Sequence, residues 1–270
     1  MPILSGPLES HQWVEPDEVS RPVVTYGFVS ADFGGLELGF HRHAKGQLVL
    51  VQRGALSCEV ESGLWTVPPR SAIWIPGGAL HAIKATGSLE GYNAFIAPDV
   101  DAALPGICCA LAVTPLLREL LFRAAELPLF YEEGGVDSRL VAVLLDEVAA
   151  SKVEDLHLPM PSDPRLRKMV DLMMASPADR STLDVWAKRA GMSARTLLRL
   201  ITRETGMSFG RWRQQLGLML AVKWLGGGAS IQEVAANLGY ESVPSFITMF
   251  RRALGTSPGR YMAERHSRQS

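Results

Sequence analysis

The chain has 270 residues, of which 47% are hydrophobic and 20% are charged. This length predicts about two domains, and the composition is that of a globular protein with a real core, which excludes disorder, collagen and coiled coil as descriptions of the whole. The chain has no run of about 18 apolar residues, no signal-peptide pattern at its start, and too few cysteines for a disulfide framework. We therefore expect a cytoplasmic protein with no membrane partner.

The net charge of −1 conceals an uneven distribution. Residues 1–163 hold 10 Lys and Arg against 21 Asp and Glu, a net charge of −11. Residues 164–270 hold 17 against 7, a net charge of +10. An acidic half joined to a basic half indicates a polyanionic partner for the basic half.

Residues 22–112 alternate short apolar segments with clusters of Gly, Pro and Ser. The pattern predicts strands at residues 23–29, 48–52, 56–61, 72–75 and 81–85. Strands at this spacing are typical of a β-sandwich or a small barrel.

Two helices are predicted after the strands. Thr114 caps the first, which begins at Pro115, and the second covers residues 137–150. Their apolar stripes are broad enough to bury two surfaces each. A helix pair within one chain and a dimer contact are both open at this point.

Three histidines in the strand-rich part indicate a binding site. His41 and His43 are two positions apart, which places them on one face of a strand, and His81 from a later strand would meet them inside a barrel. With Gln47 as fourth donor, this set would hold one divalent ion, Zn, Ni, Fe or Mn. The alternatives are a pocket whose histidines hydrogen-bond an organic effector, and a vestigial barrel.

The surroundings of these histidines resemble the cupin pattern. The matching residues are Gly35, His41, His43 and Gly54 in a first block, then Pro76, Gly78 and His81 in a second. Three positions depart from the pattern: Gln47, Arg70 in place of a glycine and Ala85 in place of an asparagine. Cupins usually carry a glutamate where this chain has Gln47. A neutral amide attracts a dication less strongly and supplies no acid–base group.

A proline-rich segment separates this part of the chain from the basic half. Residues 151–165 contain three prolines and no sustained apolar period. We predict a first domain over residues 1–150, a linker over 151–163 and a second domain over 164–270.

The basic half contains an internal repeat. Ala187 and Gly191 correspond to Ala235 and Gly239, at an offset of 48 residues. Each unit predicts a helix, a glycine turn and a second helix capped by serine. The predicted helices cover residues 183–190 and 194–205 in the first unit, and 231–238 and a helix from about 244 in the second, with a connecting helix over 212–225.

The second helix of each unit is the candidate DNA-reading helix. The candidate contact residues of the first unit are Arg195, Thr196, Arg199, Thr202 and Arg203. Those of the second unit are Val243, Pro244, Ser245, Ile247, Thr248 and Arg251. Arginine can donate two hydrogen bonds to a guanine edge, whereas the second face is mostly apolar and its arginine is better suited to phosphate. The alternative is that Arg195 and Arg199 contact phosphates only.

Residues 164–265 resemble the DNA-binding domain of the AraC/XylS-type transcriptional regulators. The motifs that carry the resemblance are AKRAGMSARTLLRLITRETGMSFGRW and VAANLGYESVPSFITMFRRALGTSPGRYM. The resemblance implies an α+β protein, with a cupin-like β-barrel and flanking helices followed by an all-α domain of two helix–turn–helix units joined by a long helix.

The same resemblance implies a bacterial regulator that is not an enzyme. Its expected partners are double-stranded promoter DNA, a small-molecule effector, a second copy bound through the N-terminal domain, and RNA polymerase if the protein is an activator. Two other functions stay open: a metal-dependent cupin enzyme tethered to DNA, against which Gln47 argues, and a DNA-binding protein whose barrel only mediates dimerisation.

Overall fold

The structure is a computed structural model that describes residues 3–5, 14–30, 37–60, 63–100, 104–154 and 157–266. By its internal contacts the chain divides into two compact units, Met1–Val60 with Trp65–Leu156, and Glu61–Leu64 with His157–Ser270. A β-sheet with two helices forms the first unit and helices dominate the second, so the predicted α+β class is confirmed. None of the helices in the described ranges has the length and apolar character needed to cross a membrane.

The first unit is built on an antiparallel sheet. Its strands pair in the order β1-β2-β7-β4-β6-β8-β9, with β3 also paired to β7 and only β1–β2 parallel among the described pairings. The bounds are β1 Ile3–Ser5, β2 Val23–Ser30, β3 Glu37–His41, β4 Gly46–Val60, β5 Gly63–Val67, β6 Ser71–Ile75, β7 His81–Ile96, β8 Cys109–Ala112 and β9 Val153–Glu154.

The two predicted strands at 48–52 and 56–61 are one strand, β4, and the division predicted between them is wrong. Gly54 does not end the strand. It lies inside β4 with a positive φ of 83°. The pairing with β7 shifts register on both sides of Arg53, which is the mark of a β-bulge. The strand predicted at 81–85 likewise continues to Ile96 in β7.

Two helices cover one face of this sheet. Thr114 accepts a hydrogen bond from the Leu117 N–H at 3.0 Å and so caps α1, Pro115–Ala125, as predicted. The second helix, α2, covers Val136–Ala149. The helices and β4 share one core. From β4 it includes the alternate residues Leu48 and Leu50, and from the helices it includes Leu117, Leu121, Leu144 and Val148. Because side chains alternate along a strand, Gln47 lies on the opposite face of β4.

The second unit is mainly helical, and its strand residues are those of β10, His157–Pro159, and the start of β5. Its helices are α3 Pro164–Ala175, α4 Leu183–Arg189, α5 Ala194–Thr205, α6 Phe209–Gly226, α7 Ile231–Asn237, α8 Val243–Leu254 and α9 Pro258–His266. Helices α4 to α8 confirm the predicted pair of helix–turn–helix units and their connecting helix. Trp212 of α6 is fully buried, and its Nε1–H donates to the Pro159 carbonyl at 2.8 Å.

The proline-rich segment contains two short strands. Strand β9 pairs with β8 in the first unit, and Leu158 and Met160 are buried in the core of the second. Residues 155 and 156 lie outside the described ranges. The boundaries at 150 and 164 stay a prediction.

Candidate functional site

The four candidate metal-binding residues lie together in the first unit. His41 ends β3 and is the register partner of His81, the first residue of β7. His43 lies two residues beyond the end of β3, and Gln47 is the second residue of β4. The ring of His81 is centred 4.3 Å from that of His41 and 5.0 Å from that of His43.

The backbone fixes which nitrogen of each imidazole carries the proton. Each Nδ1 lies at hydrogen-bond distance from a carbonyl oxygen: His41 at 2.8 Å from Gly39, His43 at 2.5 Å from Lys45 and His81 at 2.9 Å from Ala79. A carbonyl oxygen can only accept, so each Nδ1 must donate. In the neutral rings all three Nε2 atoms are then left with a free electron pair, as metal-binding histidines require.

Gln47 adds a fourth electron-pair donor. Its amide nitrogen donates to Asn93 Oδ1 at 3.0 Å, which turns Oε1 towards the histidines. Oε1 is 3.2 Å from Nε2 of His43 and 3.2 Å from Nε2 of His81. The candidate ligand atoms of the three histidines all lie within 4.8 Å of one another. Acceptors that gather in this way among the described residues favour a cation between them.

His81 is not protonated near neutral pH, so a proton on this ring is not the cation at the site. Burial lowers the pKa of His81 to about 4, although its hydrogen bond to Ala79 opposes the shift. The neighbouring His41 and His43 lower the pKa further. The ring is therefore neutral and available as a ligand near pH 7, and the donor set fits a divalent metal ion.

Sequence reasoning missed Asn93, which orients the Gln47 amide. The two residues are 46 positions apart and meet because β4 pairs with β7, where Val49 is the register partner of Asn93. An asparagine in a long strand is the only signal that the sequence offers for it.

In the second unit, the predicted glycine turns shape both helix–turn–helix pairs. Gly191 and Gly239 have φ values of 67° and 70°, the left-handed region that glycine favours. The residues after them, Met192 and Tyr240, donate to the carbonyls of Ala187 and Ala235 at 3.0 and 2.9 Å. These bonds close a Schellman motif in each unit.

Helix α5 carries the candidate reading face of the first unit. Ser193 caps the helix, and Leu197, Leu200 and Ile201 are buried, as predicted. The candidate contacts Arg195, Arg199, Thr202 and Arg203 are exposed, and Thr196 is half-buried. The guanidinium groups of Arg195 and Arg199 make no hydrogen bond or ion pair with any described residue. Arg203 differs, because it pairs with Glu204 at 2.9 Å.

Helix α8 carries the corresponding face of the second unit. Pro244, Ser245, Thr248 and Arg251 are exposed, whereas Val243 and Ile247 are half-buried. The Thr248 hydroxyl donates to the Pro244 carbonyl at 2.9 Å, which leaves it able to accept. This face therefore offers fewer free donors to a base edge than α5 does.

Known proteins resemble both halves of the chain. Residues 186–264 match the model of a helix-turn-helix domain. The HTH-type transcriptional regulator NimR of Escherichia coli K12 is 42% identical over 249 residues, which cover 92% of this chain and 90% of that protein. RipA of Corynebacterium glutamicum, another HTH-type transcriptional regulator, is 33% identical over 38% of this chain and 31% of its own length.

Two solved structures are similar at lower levels. The DNA-binding domain of AdpA in complex with a target DNA is 30% identical, with a TM-score of 0.37, and the match covers 40% of this chain and 97% of that one. ToxT of Vibrio cholerae O395 is 11% identical, with a TM-score of 0.37, over 89% of this chain and 96% of that one. The identity to NimR over nearly the whole chain is what decides the family. The chain belongs to the AraC/XylS-type family of DNA-binding transcriptional regulators.

Proposed function

We propose that this regulator binds a divalent metal ion in its first unit and that the ion controls promoter binding by its second unit. The proposal rests on three imidazoles whose candidate ligand nitrogens lie within 4.8 Å of one another, and on Gln47 Oε1, which lies 3.2 Å from Nε2 of His43 and of His81. The ion would be held by His41, His43, His81 and Gln47. Zn, Ni, Fe and Mn all accept imidazole and amide ligands.

Elemental analysis of protein purified without chelator tests the metal site. We expect up to about one ion per chain, lost in His81→Ala. Gln47→Glu restores a carboxylate and should tighten metal binding at least about tenfold. Gln52→Glu is the control, because it adds the same charge elsewhere on β4 and should not tighten binding. Protein that takes up none of Zn, Ni, Fe or Mn on titration contradicts the metal proposal and leaves the two alternatives, an organic-effector pocket and a vestigial barrel. Promoter affinity measured with and without the bound ion tests the coupling.

For promoter recognition, we propose that α5 reads base sequence and that α8 mainly positions the protein. The free guanidinium groups of Arg195 and Arg199 support base contacts in a major groove. On α8, Val243, Pro244 and Ile247 would contact thymine methyl groups and the groove wall. The roles of Thr196, Thr202, Arg203, Ser245, Thr248 and Arg251 belong to the same proposal.

We propose a homodimer formed through the two helices of the first unit. Leu116, Phe122 and Val143 of α1 and α2 are between 42% and 51% exposed, and a second copy of the chain would cover them. Analytical ultracentrifugation of wild type and Phe122→Ser tests this. Contact with RNA polymerase belongs to the proposal if the protein activates transcription.

We also propose that the protein acts in the cytoplasm as a regulator and not as an enzyme. The similar full-length protein is a transcriptional regulator, and the four donors of the histidine site include no carboxylate for acid–base chemistry. Turnover of cupin substrates with added Fe, Mn or Ni would contradict this.

The two halves, 1–150 and 164–270, are proposed to fold separately on either side of the 151–163 segment. Because Leu158 and Met160 are buried, we expect limited proteolysis to cut first between Ser151 and His157. Early cutting inside either half contradicts the division.

A further inference from the structure

A cleft of ≈ 430 Å³ lies within the DNA-binding unit. The segment before α4 forms one side, and helices α3, α6 and α8 form the others, as the lining residues show. This volume is within the range of small-molecule sites, roughly 300–1,000 Å³. Apolar side chains line part of it, including Met173, Leu216, Leu220 and Met249.

Three arginines from three different segments also line the cleft: Arg180 before α4, Arg213 on α6 and Arg252 on α8. Arg180 is held in place, because its Nε–H donates to the Gly239 carbonyl at 3.2 Å and its guanidinium lies 4.3 Å from the Tyr240 ring centre. Cations that are fixed before binding lose little conformational entropy when an anion arrives.

Arg213 braces the same region from inside. Its guanidinium donates to the Ser181 carbonyl at 3.1 Å and to the Asp179 carbonyl. Burial, and then the nearby charge of Arg180, lower the pKa of Arg213 below its usual range. The two positive charges are therefore close together in a partly desolvated place.

The cleft offsets only part of this charge, because the nearby Asp179 acts on the pKa of Arg213 in the opposite direction. Asp179 is the one acidic side chain among the described lining residues. Its carboxylate already accepts from the Ser181 N–H at 2.7 Å and from Arg189 at 2.5 Å. Arg252 makes no hydrogen bond or ion pair with the described residues. An anion in the cleft would therefore meet the guanidinium donors of Arg252, which have no partner among the described residues.

The position of the cleft links it to DNA. Ser245 and Thr248, two candidate contact residues of α8, line it together with Arg252. An occupant would therefore lie beside the proposed recognition surface. A phosphate group in the cleft would come from one of two sources: the backbone of a bound duplex, or a free phosphate-bearing ligand whose organic part contacts the apolar wall.

We propose that this cleft is a phosphate-binding site, in which Arg180 and Arg252 contact the anion and Arg213 fixes the segment that carries Arg180. With DNA as the source, the site rests on the proposed recognition surface and adds a backbone contact beside it.

The first experiment measures affinity for one duplex against salt concentration, using the full chain. Arg252→Gln and Arg180→Gln are compared with Lys168→Gln, which removes an exposed cation of α3 that does not line the cleft. If the backbone supplies the phosphate, each cleft variant reduces the slope of log K against log salt by about 0.9, because one fewer counterion is released. Lys168→Gln keeps the wild-type slope, and Arg252→Lys restores it.

The second experiment measures Tm with inorganic phosphate against chloride at equal ionic strength. If a free anion binds, phosphate at ten times its Kd raises Tm of the wild type by about 2 °C or more. Arg252→Gln loses that shift. The proposal is overturned if both cleft variants keep the wild-type salt slope and inorganic phosphate does not stabilise the wild type.

These outcomes are separate from those that test the reading helix. Loss of base preference in Arg195→Ala or Arg199→Ala tests α5 and leaves the salt slopes of the cleft variants unaffected. If α5 proves not to read sequence, the slopes and the phosphate shift still decide whether the cleft binds phosphate.

Discussion

The two helix–turn–helix units have the same backbone and different outward faces. Both have an alanine that accepts the turn hydrogen bond, a left-handed glycine and a serine cap. The turn glycines are 48 residues apart and the serine caps 49 apart, because the second turn has one extra residue. From the caps onward, Arg195 and Arg199 of α5 therefore correspond to Pro244 and Thr248 of α8. The residues that set the fold repeat, while the residues that would touch DNA diverge.

This difference separates two roles that one sequence motif combines. Turn and cap residues act on their own backbone, so the same residue types work in both units. Recognition depends on what faces the groove, so each unit can read sequence or contact the DNA backbone without a change of fold.

The largest difference in stability is expected at the turn glycines. Gly191→Ala should cost about 1–2 kcal/mol, because alanine is strained in the left-handed region. Gly239→Ala should cost more, since its added Cβ would lie 2.5 Å from the Ala178 carbonyl oxygen, whereas the Cβ at Gly191 meets open space. Thermal unfolding of the full chain measures both.

Gly217→Ala is the control for these variants. Gly217 lies inside α6 with open space around its Cβ position, so alanine should be neutral or stabilising by up to about 1 kcal/mol. Equal losses for Gly191→Ala and Gly239→Ala would show that the contact with Ala178 is unimportant.

The next effect concerns base discrimination. Arg199→Ala or Arg195→Ala should remove about 1–3 kcal/mol of preference at one or two base pairs, because a bidentate contact to guanine is lost. Thr248→Ala should change the preference much less. Affinities for single-base variants of one site, at fixed salt, provide the measurement. The assignment fails if both arginine variants weaken every site equally while Thr248→Ala relaxes specificity.

Loss of the serine cap should cost a similar amount of stability in each of the two units. Ser193 accepts from the Thr196 N–H at 3.2 Å, and Ser242 accepts from the Ser245 N–H at 3.4 Å. Each change to alanine should destabilise the DNA-binding unit by about 1 kcal/mol. Ser193→Thr and Ser242→Thr keep the accepting oxygen, so they should retain most of the stability that the alanine variants lose. Thermal unfolding measures all four variants. Caps whose loss has no effect would contradict their role in starting α5 and α8.

The smallest effect is expected for Arg251 of α8. Arg251→Ala should weaken binding to all sites alike and reduce the salt slope by about 0.9, as expected when a phosphate contact is lost. Titrations at three or more salt concentrations measure the slope. A change in base preference with an unchanged slope would assign Arg251 to a base instead.

The local patterns could be predicted from the sequence. The helices α4 to α8 follow from apolar spacing, glycine turns and serine caps, all of which act within a few residues. Helix α3 carries the same kind of signal, with Leu166, Met169, Val170 and Met173 buried at helical spacing, but it was not predicted, although it lies within the predicted second domain.

Contacts between distant residues could not be predicted. The bulge at Gly54 looks like a break in the sequence, because only pairing with β7 shows that the strand continues. At the histidine site the residue types were evident, but the carbonyls of Gly39, Lys45 and Ala79 that set the tautomers are properties of the folded backbone. The cleft combines residues about 70 positions apart, from Arg180 to Arg252.

Selection of binding sites from a random duplex library tests most directly whether the two units have different roles. We expect two clusters of preferred bases about 10 base pairs apart, since the two helices would enter successive major grooves. One cluster should be sharp, contain guanine and flatten in Arg199→Ala, and the other should be weak. Two equally sharp clusters, or a sharp cluster that survives Arg195→Ala and Arg199→Ala but flattens in Thr248→Ala, would contradict the assignment of sequence reading to α5.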